Sequence, residues 1–215
     1  MTLPRPLPEG GISFTWHKSV ATFNVPLQTF LSTRPLVRAA ATGALVFSRA
    51  AGEDRVLLIQ RAPHDSMPLR WEVPGGACDQ EDETLLHSLA RELWEEAGLK
   101  LKHVVRKVGD EFTFLTRRGL AVTKVTFETE IEEAAPAVVE EGSSKLTLPE
   151  VTIDPNEHVR FVWATEEECQ AEKIVVSEDG GNEVIKLEFT TKNQKSVVLL
   201  GFRLRREDLA NGRVD

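Results

Sequence analysis

The chain has only two cysteines, Cys78 and Cys169, with no CxxC spacing. That excludes a disulfide framework and points to a reducing compartment with plain thiols. No apolar run approaches the ~20 residues a membrane span needs, and no compact signal-peptide core follows the N-terminus. Positive charge is in deficit: 26 Lys and Arg stand against 34 Asp and Glu, for a net charge of −8. Phosphate backbones and anionic lipids demand basic surface, so non-specific nucleic-acid binding and membrane association are both disfavoured. There is no internal repeat. A cytoplasmic enzyme is the expectation. The first 35 residues are Ser/Thr-rich and carry one acid, Glu9, as a mitochondrial transit peptide would, but Arg and Lys are too sparse and Pro too frequent for an amphipathic helix. Phe14, Trp16, Phe23, Leu27, Phe30 and Leu31 instead predict an ordered N-terminal arm.

What is present in abundance is acid, and its placement is informative. Arg91-Glu92-Leu93-Trp94-Glu95-Glu96-Ala97-Gly98-Leu99 sets three carboxylates at i, i+3 and i+4, within roughly 100° of one another on a helix. Like charges so crowded repel, and a divalent cation offsets that most directly, because hard ions such as Mg²⁺ take carboxylate oxygens. Leu86, Leu89, Leu93 and Ala97 form the core-facing stripe, so the acid face is expected to look outward. Gly98 is the C-cap signal. Upstream, Trp71-Glu72-Val73-Pro74-Gly75-Gly76 reads as a strand end breaking into a loop where backbone can approach a ligand closely.

The remaining pattern predicts strands over 39–47 and 55–60, joined through 50–54 as a hairpin, and a second hairpin from 111–116 and 121–129. A further strand is expected over 159–164. Thr165 with Glu168 has capping-box spacing for a short helix, and Thr191 with Gln194 repeats it for a final helix carrying Val197, Val198, Phe202 and Leu204. Mixed strands with helices on two sides give an α/β/α sandwich with a mixed sheet. The expected organisation is an arm over 1–35, a domain over 36–207 with a flexible acidic insertion at 132–149, and a tail over 208–215.

The run from Gly75-Gly76 through Glu83, Arg91-Glu92-Leu93 and Glu95-Glu96 to Gly98-Leu99 resembles the signature box of the Nudix hydrolases, which cleave nucleoside diphosphates linked to another moiety. It fixes a dozen residue types in a loop-helix-loop context, and flanking strands extend the likeness over most of residues 36–205. The resemblance implies the Nudix fold and Mg²⁺, or Mn²⁺ in its place, held by Glu92, Glu95 and Glu96 with a backbone carbonyl at Gly75 or Gly76. It implies that Arg91 orients these glutamates, and it offers Glu95, Glu96 or Glu157 as general base. Arg61, Glu72, Gly75 and Phe114 are the expected substrate contacts. One departure stands out. Counting back from Arg91 puts the family's first glutamate at Glu83, but Ala77 then occupies the glycine position and Gly76 lies one residue early. A one-residue insertion within 77–82 is the simplest account, and it leaves the role of Glu83 open.

Substrate signals are mostly missing. The chain has no tyrosine, which removes the residue that dinucleoside-polyphosphate relatives place after the box. No proline falls between Leu99 and Pro136, where the ADP-ribose pattern puts one, and neither the coenzyme A nor the NADH motif is found. A small-molecule nucleoside diphosphate derivative is the expected partner, with monomer or homodimer undecided. Phe112 and Phe114 are candidates to stack on a base, and Arg61, Arg70 and Lys124 to meet phosphate, although packing and solvation account for such residues more readily. His17, His64, His87, His103 and His158 form no ligand spacing and read as structural or exposed. Two other functions are open on the same fold. One is a non-catalytic nucleotide-binding module, against which the intact glutamates argue. The other is an isoprenoid diphosphate isomerase, for which Cys78 sits in unsuitable company.

Overall fold

In the computed structural model, residues 5–50, 52–132, 148–178 and 181–212 are described. Most of the predicted acidic insertion, 133–147, lies outside them. The elements run β1 (Thr15–Trp16), a 3₁₀ turn (Lys18–Phe23), α1 (Leu27–Ser32), β2 (Ala39–Ala50), β3 (Glu53–Arg61), β4 (Trp71–Glu72), α2 (Leu85–Ala97), β5 (Leu101–Lys107), β6 (Phe112–Leu115), β7 (Ala121–Ile131), β8 (His158–Ala164), α3 (Glu166–Ala171), β9 (Lys173–Glu178), β10 (Gly181–Lys186) and α4 (Lys192–Ala210).

One mixed sheet carries the strand order β1-β5-β7-β2-β3-β4, with β6 added to β7 and β8 to β3, and β9 and β10 form a separate hairpin. β2 runs parallel to β7 and antiparallel to β3. The period-2 alternation of strand side chains sorts the core into two layers. Ala44, Val46, Leu57 and Ile59 pack toward α2 and the N-terminal arm. Leu45, Val56 and Leu58 pack toward α4 and the β9–β10 hairpin. The α/β/α sandwich follows directly from that alternation.

The way β2 splits its partners makes the site. Its first eight residues, Ala39 to Val46, pair with β7, while only Phe47 to Ala50 pair with β3. The flank of β2 left open near residue 42 is filled by the loop after β4. Ala44 N–H donates to Pro74 O at 2.8 Å, Thr42 N–H to Gly76 O at 2.9 Å, and Cys78 N–H to Ala40 O at 2.9 Å. The glycine loop is therefore stitched into the sheet, satisfying backbone groups that would otherwise be orphaned.

Among the described residues of the arm, the expected anchors Phe23, Leu27 and Phe30 are buried in the α2-side core together with Val20, whereas the expected anchor Trp16 is exposed. The arm also holds both ends of α2. Leu85 N–H donates to Val25 O, and Thr84 donates its hydroxyl to Asn24 Oδ1 at 2.9 Å. At the other end Arg5 donates to Trp94 O at 3.0 Å and to Thr152 O at 2.6 Å, placing a cation on the negative end of the helix dipole. Thr165 and Glu168 form the complete capping box. Thr191 makes only half of one: its hydroxyl accepts from Gln194 N, but the Gln194 side chain turns to Lys124 Nζ instead. α4 continues past the expected domain end at 207 to Ala210, since Asp208 is buried and paired with Arg106.

Candidate functional site

The stripe Leu86, Leu89, Leu93 and Ala97 is wholly buried, and Gly98 caps α2 in the left-handed conformation at φ 68°. The acid face, however, does not look outward. Glu92 and Glu96 are themselves buried, because the stitched glycine loop and the segment before β8 lie over that side of the helix. A helical wheel locates the acid face relative to the core stripe but says nothing about what else the chain lays across it.

Three contacts hold the loop against the carboxylates. Gly75, at φ 142°, donates its N–H to Glu96 Oε2 at 2.6 Å. A β-carbon there would lie 2.3 Å from Thr42 O, so the position is closed to any side chain. At Gly76 a β-carbon would sit 2.5 Å from Glu92 Oε2. The Gly76 carbonyl, the expected metal ligand, accepts from Thr42 N–H at 2.9 Å, which occupies one of its two lone pairs. The residue also contributes the side chain it lacks.

Arg91 gathers the acids. Nη1 donates to Glu92 Oε1 and to Glu95 Oε2, both at 2.9 Å, and Nη2 to Ala77 O at 2.9 Å. Nε and Nη2 make a bidentate pair with Asp82 at 2.9 and 3.0 Å. Asp82 is fixed in turn by the Ser88 hydroxyl at 2.6 Å and by Asp79 N–H at 2.9 Å. This revises the box register. Glu83 is largely exposed and faces His87, while Asp82 makes the contact to Arg91. Asp82 lies six residues after Gly76, the family's glycine-to-glutamate spacing, so the extra residue follows Asp82 and does not fall within 77–82. That spacing was the available signal, obscured because Asp stands where Glu is expected.

On the far wall Arg61 pairs with Asp65 at 2.6 Å and with buried Glu72. Arg61 Nη1, His158 and Glu96 converge on this corner, and His158 Nε2 lies 3.8 Å from Glu96 Oε1 and 4.0 Å from Glu72 Oε1. Ligand atoms of Glu96, Glu157 and His158 fall within 4.8 Å of one another, which the sequence did not reveal for His158. Arg61, Gly75, Gly76, Arg91, Glu92, Glu95, Glu96 and Glu157 line one cleft of ≈ 420 Å³, a size suited to a small-molecule ligand. Phe114 is not among its lining residues: it stacks on Phe112 at 5.9 Å and lies opposite Val122 on β7. Cys78 is buried, and burial with Asp82 and Glu92 nearby pushes its thiol up to about 12, which disfavours the reactive thiolate.

The electrostatics bear on what the site can hold. Burial pushes the Glu92 carboxyl up to about 7, Arg91 offsetting only part of the effect. Burial and the neighbouring Glu72 and Glu92 push Glu96 well above the usual carboxylate range. Glu72 is held low despite burial by His158, Lys124 and Arg61. Two buried acids that resist ionisation, beside an imidazole with neither nitrogen hydrogen-bonded, fit a divalent cation as the missing charge. The pH dependence of stability follows. An unfolded glutamate titrates near 4.5 and folded Glu92 near 7, so this contribution is fully present below pH 4.5 and is lost as pH rises through 7. In chelator, stability should climb by roughly 2–3 kcal/mol between pH 8 and pH 5. Asp65, Glu72 and Asp82, held low by their partners, lose their contributions only below that window. Urea midpoints that stay flat or fall over that range would contradict the assignment.

The family described as NUDIX domain matches residues 37–181. An RNA pyrophosphohydrolase of Psychrobacter sp. (strain PRwf-1) is 46% identical over 52 residues, which is 24% of this chain and 27% of that protein. The match thus spans about a quarter of that curated relative. Among solved structures, a C. elegans Ap4A hydrolase binary complex aligns with TM-score 0.52 at 16% identity, over 79% of this chain and 99% of that one. The NUDIX domain of Shewanella oneidensis NrtR complexed with ADP ribose aligns with TM-score 0.54 at 15% identity, over 79% and 89%. Likeness at such identity speaks for the fold alone.

Proposed function

Because the chain belongs to the NUDIX domain family, we propose that it is a divalent-cation-dependent pyrophosphohydrolase that cleaves a nucleoside diphosphate linked to another moiety. The observation that carries this reading is the pair Glu92 and Glu96. They are buried side by side and held above the normal carboxylate range, and Arg91 is shared among too many acids to neutralise them. Glu92, Glu95 and Glu96 would hold Mg²⁺ or Mn²⁺, which when bound neutralises phosphate oxygens and lowers the pKa of water.

The chain's own residues divide the remaining work. Arg91 and Asp82 lock the helical carboxylates in place through charge-assisted hydrogen bonds. Gly75 N–H fixes the rotamer of Glu96. Arg61, on the cleft wall, offers positive charge to substrate phosphate, with its orientation set by Asp65 and Glu72. Among the candidate bases, Glu95 is tied to Arg91 and Glu96 is buried. Glu157 is exposed at the rim and can pass a proton to solvent, so it is the assigned base.

A panel of nucleoside diphosphate derivatives, caps, nucleoside triphosphates and 5′-triphosphorylated RNA, run in ¹⁸O-water with and without Mg²⁺, tests this. The RNA is included because the Psychrobacter relative is named an RNA pyrophosphohydrolase. Turnover of at least one compound only with cation, and ¹⁸O in a single phosphate product, is the expected result. Binding without turnover across the panel would favour the non-catalytic module.

A further inference from the structure

We propose that the imidazole of His158 is a nitrogen donor to the cation held by Glu96, making this a mixed nitrogen-oxygen site that favours Mn²⁺ and Co²⁺ over Mg²⁺. This rests on the cation-dependent reading above. His158 is 2% exposed, and neither Nδ1 nor Nε2 has a hydrogen-bond partner. Nε2 nevertheless points at carboxylates: Glu96 Oε1 at 3.8 Å and Glu72 Oε1 at 4.0 Å. Those separations are too long for hydrogen bonds, which close at about 2.7–3.2 Å. They suit two donors on one ion, since ligands each about 2.1 Å from a common centre lie roughly 3–4 Å apart.

The surroundings are arranged for that geometry. Glu96 has Oε2 taken by Gly75 N–H, so Oε1 is the oxygen turned toward His158. Glu72 has its Oε1 engaged by Arg61, which leaves Glu96 as the freer partner. The β3–β8 ladder shifts register between Gln60 and Arg61, where Arg61 pairs with His158 and Gln60 with Arg160. Successive residues of a regular strand point to opposite faces. Glu157 belongs to the turn before β8 and is not bound by that alternation, so adjacent Glu157 and His158 both bring donor atoms within 4.8 Å of Glu96. One Glu157 oxygen can face the ion while the other stays available to water. Imidazole suits transition metals, whose affinity for such sites rises from Mn²⁺ to Co²⁺, whereas Mg²⁺ prefers an all-oxygen shell.

Pulsed electron paramagnetic resonance of the Mn²⁺-loaded full chain reads the bond directly. We expect a coupling to one ¹⁴N nucleus that converts to ¹⁵N when histidine alone is labelled, a measurement that needs no substitution. Calorimetry of His158→Gln should then show Mn²⁺ affinity down by about tenfold and Mg²⁺ affinity changed less than about twofold. Mn²⁺ uptake without nitrogen coupling, or equal losses for both ions, would overturn the donor role while leaving the pyrophosphohydrolase reading intact. No uptake of either ion would instead remove that reading, and this inference with it.

Discussion

Glu96→Gln is expected to lower kcat by at least ~10²-fold while leaving the fold intact. Glutamine is the neutral isostere of the form that burial favours at Glu96 in the absence of cation, and its amide oxygen can still accept from Gly75 N–H. Stability of the metal-free protein should therefore be held or slightly raised. Cation binding, by contrast, loses a charged donor in a buried site. The combination separates function from folding: calorimetry should show weakened Mg²⁺ uptake while the urea midpoint in chelator is unchanged or higher. A kcat within a few-fold of the parent would remove Glu96 from the site. Glu157→Gln should cost less activity, and no loss at all would return the general base to α2.

Removing Arg91 should do the opposite, striking stability first. Its guanidinium serves Asp82, Glu92, Glu95 and the Ala77 carbonyl at once, all at 2.9–3.0 Å. Breaking these half-buried pairs leaves charge uncompensated, and Arg91→Ala should destabilise the metal-free chain by roughly 2–4 kcal/mol. Lysine should rescue little, because a single ammonium cannot reproduce the bidentate fork to Asp82 and still reach both glutamates. Saturating cation should restore part of the loss by binding the same carboxylates in the folded state. Chemical denaturation with and without Mn²⁺ measures both, and a loss under ~1 kcal/mol would show that Arg91 is merely a surface residue.

Much of the architecture is visible in residue spacing because it depends on short-range geometry. The stripe from Leu86 to Ala97, the Gly98 stop, the Thr165 capping box and the two hairpins each follow from rules that operate within a few residues. β5 was not predicted, as its ladder to β7 shifts register twice and its alternation is broken. The β9–β10 hairpin likewise escaped the pattern: its two strands form a sheet of their own, apart from the main one.

The site divides along the same line. Glu92, Glu95, Glu96 and Arg91 are legible because their helical spacing alone places them together. Asp82 and His158 are not, since one depends on how far Arg91 reaches across a loop and the other on the fold bringing the start of β8 against Glu96. The amino-acid sequence by itself determined that three acids share a helical face beside a glycine loop, for period and chain connectivity are local properties. Only the tertiary structure decided that this face is covered, because burial depends on what distant segments lay over it. Covering is what raises Glu92 and Glu96 and leaves His158 without a hydrogen-bond partner, the arrangement on which the proposed cation site rests.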